Sequence, residues 1–334
     1  MKRTLLAAAL LGPLLGSCDL NPPPAQPQSG ELALQHVQFL SQEIGSRVGG
    51  SQGEQNAAAY SYSVLRESGY APRLQAFEYT GEGSVTRSLN VVGSKAGQSA
   101  REIIVIAHMD TVSVGRGADD NASGVGVLLE AAQRLRQVQT PYTLRFIVAG
   151  SEEDGLRGSR DYASRMSAGE VANTVLVINL DSLLAGDQMY VYGEGAQGAA
   201  SRDDALSWAG QHGLNVITQP GENPEYPAGT TGDWSDHAPF KKLGLSYAYL
   251  EATNWTLGDK DGYTQTEKHG EIWHTENDTL AFLNREFPGR VQQHLEGFSD
   301  LLVHMLSQPP APAATAQPLG LPQRVREVPA ERWR

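Results

Sequence analysis

The sequence predicts an α/β protein, a single three-layer sandwich whose mostly parallel mixed central sheet of about eight strands carries helices on both faces. Three observations predict it. Between residues 102 and 179, apolar runs rich in β-branched side chains alternate with stretches of helical periodicity, the pattern of parallel strands joined by crossover helices. From 31 to 307 there is no internal repeat or low-complexity break. Three of the apolar runs end abruptly in polar clusters, as strands do where the carboxyl end of such a sheet opens onto a crevice.

In chain order, 31–43 and 53–68 have apolar positions at helical spacing, and 73–79 and 88–92 read as strands. Strand 102–107 then precedes helix 123–136, strand 143–148 precedes helix 159–166, and strand 175–179 closes the alternation. Strands 189–192 and 245–250 and helices 202–212 and 289–306 complete the set. His212, His294 and His304 fall on these helical stretches and read as surface or core residues.

The chain ends differ in character. Lys2 and Arg3, the apolar stretch 4–15 and Leu15-Gly16-Ser17-Cys18 form a lipoprotein signal peptide over 1–17 with Cys18 as the acylated new N-terminus. Cys18 is the only cysteine, so no disulfide forms within the chain. Residues 18–30 are a stiff Pro-rich tether, 31–307 the folded domain, and 308–334 a disordered Pro- and Ala-rich tail. The expected location is therefore outside the cytoplasm, on the outer face of the cytoplasmic membrane or elsewhere in the periplasm or at the cell surface, with Cys18 the only membrane contact. A formal charge of −12 argues against non-specific nucleic-acid binding, which needs basic residues to neutralise phosphates.

The polar clusters carry the chemistry. His108 and Asp110 stand two apart at a strand end, where an extended chain sends both side chains to one side. Ligating imidazoles commonly donate their other N–H to an oxygen acceptor such as this carboxylate. Residues 117–124 (Gly-Ala-Asp-Asp-Asn-Ala-Ser-Gly) precede an apolar helix, and three consecutive acidic or amide residues exceed what capping it requires. Glu152 and Glu153 follow a buried strand, where adjacent carboxylates repel unless a cation holds them. Their side chains diverge, so one can ligate while the other serves as general base. Asp181 ends the apolar run 175–178 and His274 offers a second imidazole. Two histidines with several carboxylates form the nitrogen and oxygen set that zinc accepts.

His108-Met109-Asp110, the 117–124 segment, Glu152-Glu153 with the glycines after them, Asn179-Leu180-Asp181, Ser235-Asp236-His237 and Trp273-His274-Thr275 follow one another in a familiar order. Over about residues 85–305 the sequence resembles the bacterial co-catalytic zinc aminopeptidases. The resemblance implies two Zn2+ ions, with His108 and Asp181 on one, Glu153 and His274 on the other, and Asp120 between them. It implies Asp110 orienting His108, Glu152 as general base on a hydroxide shared by the metals, and a cis Asp120–Asn121 bond. The implied reaction removes N-terminal residues from peptides or exported proteins. Segments 229–234 and 251–255 resemble the subgroup containing the alkaline phosphatase isozyme conversion aminopeptidase, which implies basic N-terminal residues. Gly232 departs from the pattern, because many members carry there a tyrosine that steadies the tetrahedral intermediate; Tyr226, Tyr247, Tyr249 and Tyr263 are the candidates to replace it.

Trp234, Trp255 and Trp273 lie near these motifs and are expected to pack rather than line the site. His237 is expected behind the ligands or in a structural role, and Asp154 with Arg157 as a local ion pair. Three alternatives stay open: a carboxypeptidase or deacylase-type dinuclear hydrolase, a glutaminyl cyclase with a single zinc, and a non-catalytic binding lipoprotein. Residues 181–274 do not read as the inserted dimerisation domain of the first, and Glu152 is superfluous in the last.

Overall fold

A computed structural model of the protein describes residues 27–81 and 83–311. The expected signal peptide, Cys18, most of the tether and the tail beyond 311 lie outside the described residues. Helix α1 (Glu31–Gln38) runs into a π-helical turn at Phe39–Ile44 and is followed by α2 (Gln52–Glu67), whose N-cap Ser51 accepts the Glu54 N–H. Then come β1 (Arg73–Gly81), β2 (Ser84–Lys95), β3 (Ser99–His108), α3 (Ala122–Leu135), β4 (Tyr142–Ala149), α4 (Arg157–Ser164), α5 (Ala168–Asn173) and β5 (Thr174–Leu180). The chain continues with β6 (Gln188–Glu194), α6 (Gly195–Gln211), β7 (Val216–Ile217), α7 (Ala238–Lys242), β8 (Tyr247–Thr253), α8 (Leu280–Glu286) and α9 (Arg290–Ser307).

The strands form one eight-stranded sheet in the order β1-β2-β4-β3-β5-β8-β6-β7. Its centre, β4-β3-β5-β8, is parallel; β1-β2, β2-β4 and β6-β8 pair antiparallel, and the short β7 pairs parallel with β6. Strand β3 shows why both faces must be covered. Ile103, Val105 and Ala107 pack into the larger core with α1, α2, α3, α6 and α9, while Ile104 and Ile106 point the other way, into a second core with Tyr162 of α4 and Phe240 of α7. Each of these buried Ile and Val side chains stabilises the fold by about 1.5–3 kcal/mol.

All the expected elements are present, but their ends differ and four short ones were not foreseen. Helices α5, α7 and α8 and strand β7 are too short for a period to show in sequence. Helix α6 begins at Gly195 rather than 202, because its first turns are Gly- and Ala-rich and carry no apolar stripe. The parallel strands end level with one another, with His108 of β3 opposite Ala149 of β4. That rim receives all the polar clusters.

Candidate metal centre

At the rim, His108 Nε2 lies 3.2 Å from Asp181 Oδ1 and 3.2 Å from Asp120 Oδ1. His274 Nε2 lies 3.1 Å from Asp120 Oδ2 and 3.0 Å from Glu153 Oε2. Asp120 thus faces both imidazoles, one through each oxygen. Donors about 2 Å from one tetrahedral cation stand roughly 3.3 Å from each other, so both groups have the spacing zinc requires. His108, Glu152 and Asp181 also bring donor atoms within 4.8 Å of one another, as do His108, Asp120 and Glu153. Glu152 Oε2 is 4.0 Å from His108 Nε2, outside the tighter groups and facing the same space.

The protonation of these groups reveals the same fit. Burial opposes a proton on His108, yet Asp181, Glu152, Asp110 and Asp120 outweigh it and hold the ring well above its usual value. Asp120 and Glu153 push His274 up to about 11. Burial would raise Asp120, but the two imidazoles hold it below the usual carboxylate range. Burial pushes Glu153 up to about 7, with the Asp120 charge adding to it. Burial also drives Glu152 well above its usual value, against the pull of His108. The cluster therefore gathers protons where a dication, which displaces protons from its ligands, would cancel the same negative charge.

Local structure explains how each side chain arrives. Ser151, Ser182 and His274 have φ of 53°, 54° and 56°, a left-handed backbone uncommon outside glycine; the two serines adjoin Glu152 and Asp181. The Asp120–Asn121 peptide is cis. Asn121 caps α3, its Oδ1 accepting the Gly124 N–H at 2.9 Å. Asp119 turns away, accepting the Leu184 and Ala185 N–H groups at 2.7 and 3.0 Å and the Gln265 amide at 2.6 Å. Gln265 Oε1 accepts the Ile272 and Trp273 N–H groups, and Asp278 accepts those of Asp119 and Asp120. Asp119, Gln265 and Asp278 thus tie together the three loops bearing Asp120, Asp181 and His274. Sequence reasoning missed Gln265 and Asp278 altogether, because nothing in their spacing marks them.

Asp110 sits as expected beside His108, but its Oδ1 is 3.6 Å from Nδ1, longer than a hydrogen bond. Its shorter contacts go to the Glu152 and Glu153 N–H groups, at 2.9 and 3.1 Å, so it joins the β3 end to the glutamate turn. Ser235 Oγ donates to Asp181 Oδ2 at 2.6 Å. His237 is buried, with Nε2 3.0 Å from the Gly232 carbonyl and its ring between Tyr247 and Tyr249. The expected Asp154–Arg157 ion pair does not form; Arg157 donates to the Asp154 carbonyl and lies over the Tyr79 ring, whose hydroxyl donates to the Asp154 carboxylate.

Above the cluster opens a cleft of about 260 Å³, walled by Tyr226, Trp234, Tyr249, Glu251, Asp261, Tyr263 and Trp273. Trp234 and Trp273 line it, contrary to the packing role expected of them, whereas Trp255 is packed with its indole N–H on Tyr192 Oη at 2.6 Å. Gly232 leaves room for the Trp234 ring, since a Cβ there would stand 2.0 Å from Trp234 Cζ3 and 2.1 Å from Cε3. Tyr247 is not part of the wall; its hydroxyl donates to Glu194. Glu251 is buried in the wall, accepts from Tyr192 and Tyr249, and is pushed up to about 8 by burial.

Residues 90–298 match the family described as peptidase family M28. The chain is 33% identical over 328 residues to the alkaline phosphatase isozyme conversion protein of Escherichia coli, covering 88% of this chain and 95% of that one. It is 30% identical over 213 residues to aminopeptidase YwaD of Bacillus subtilis, covering 62% of this chain and 42% of that one. In structure it resembles BSAP, described as a zinc aminopeptidase from Bacillus subtilis, with a TM-score of 0.68 at 18% identity over 85% of this chain and 97% of that one.

Proposed function

The chain belongs to peptidase family M28, and from that membership we propose that it is a zinc-dependent aminopeptidase, cleaving N-terminal residues from peptides or exported proteins. The observation that carries this is the meeting of His108, Asp120, Glu153, Asp181 and His274, with Asp120 between the two imidazoles. We assign two zinc ions to these residues: His108 and Asp181 would hold one, Glu153 and His274 the other, and Asp120, which faces both imidazoles, would serve both. When bound, zinc supplies Lewis acidity towards the scissile carbonyl and towards water.

Glu152 is the remaining carboxylate on the cleft. Its high proton affinity in this dry setting suits a base that takes the proton of the attacking water and returns it to the departing amine. The acidic floor favours a free, charged amino terminus, which confines cleavage to chain ends. Asp261 in an aromatic wall further suits a cationic first side chain, through charge and cation–π contact. This agrees with the likeness to the isozyme conversion subgroup. Export and acylation at Cys18 complete the proposal; among the described residues no helix is long and apolar enough to cross a membrane. Rates on aminoacyl amides of arginine, lysine and leucine, with N-acetylated counterparts, test it. Free-amine substrates should be cleaved, basic ones fastest, and acetylated ones spared; cleavage confined to acetylated substrates or to C-terminal residues would overturn it.

A further inference from the structure

Arg47, in the loop before α2, is wholly buried; Asp278, Asp110, Asp120 and Glu153 act on its charge, yet its side-chain hydrogen bonds go elsewhere. All five of its contacts go to main-chain oxygens. Nε donates to Met109 O at 2.7 Å, Nη1 to Leu40 O, Gly45 O and Arg116 O at 3.2, 2.9 and 2.9 Å, and Nη2 to Gly117 O at 2.9 Å. Its backbone N–H donates to Thr111 Oγ1 at 3.0 Å. Met109 adjoins His108, and Gly117 stands three residues before Asp120. One planar guanidinium therefore grips both ends of the loop joining these two side chains. Gly117 is matched to it: φ is 57°, and a Cβ would fall against the Thr111 methyl, the Asp120 carbonyl and the guanidinium itself.

Burying a cation is costly unless close dipoles and nearby charge compensate it, here the five carbonyls and, at longer range, Asp278, Asp110, Asp120 and Glu153, so a side chain used only to fill this space would not be arginine. We propose that Arg47 is a positioning residue for the metal centre, fixing the 109–117 loop so that His108 and Asp120 stand at ligating distance before a cation arrives. The inference rests on the metal centre assigned above. Its positive charge alone would weaken cation binding, which lets geometry and charge be separated. R47K keeps the charge and loses the five-oxygen grip; R47M loses both.

The experiment measures zinc dissociation constants of the full chain by competition with a chromophoric chelator, alongside melting temperatures of the metal-free and zinc-loaded forms. Both variants should bind zinc at least tenfold more weakly and show a smaller zinc-induced rise in melting temperature. Thr111→Val, which loses only the hydroxyl holding the Arg47 N–H, should weaken binding about threefold, and it carries the test if neither Arg47 variant folds. Wild-type zinc affinity in the variants that fold, tighter binding by R47M, or equal melting losses with and without zinc would each overturn the inference. Failure of the wild-type chain to bind zinc would instead overturn the metal centre itself.

Discussion

Asp119, Asp120 and Asn121 stand side by side and do three different things. Asp120 meets both imidazoles, Asn121 caps α3, and Asp119 reaches back to the segment after Asp181. Glu152 and Glu153 divide in the same way, because neighbouring side chains leave the backbone in different directions: Glu153 touches His274, and Glu152 faces the cleft. Replacing Glu152 by Gln preserves size and removes the basic oxygen without touching the proposed ligands. The E152Q protein should hold as much zinc as wild type while kcat falls about a hundredfold or more. Wild-type turnover in that variant would remove Glu152 from the mechanism.

At the scale of elements, the site is a set of strand ends and loops, and their connections decide its precision. Gln265 is buried and links the His274 loop to Asp119. Gln265→Ala would leave the Ile272 and Trp273 N–H groups without an acceptor, at about 3 kcal/mol in total, and lower the melting temperature by about 5–10 °C. A change below about 1 °C would show that the loop is held by other contacts. The strands and the helices with a clear apolar stripe were legible in the sequence, since each needs only a local period. So were the polar clusters after β3, β4 and β5, because charge directly after a buried strand is conspicuous. Gln265, Asp278 and Arg47 were not legible: each joins groups remote in sequence, Gln265 and Asp278 reaching the Asp119–Asp120 segment and Arg47 the 109–117 loop, and a lone Gln, Asp or Arg in a loop carries no period. The wall was misjudged for a related reason, as Trp234 is placed by Tyr226 and Trp255, which come from other segments.

For the whole molecule, the sheet gathers acids from across the chain onto one rim, in a protein whose formal charge is already −12. Folding them there without a cation requires imidazole and carboxyl groups to take up protons they would not otherwise hold. Binding of zinc should therefore release protons and stabilise the fold. The most direct measurement is calorimetric titration of the metal-free chain with zinc, in buffers of different ionisation enthalpy so that proton release is counted as well. Uptake of two equivalents per chain, with protons released and activity restored, is the expected result. No uptake, or uptake that is unchanged when Asp120 and His274 are both replaced by Ala, would contradict the account.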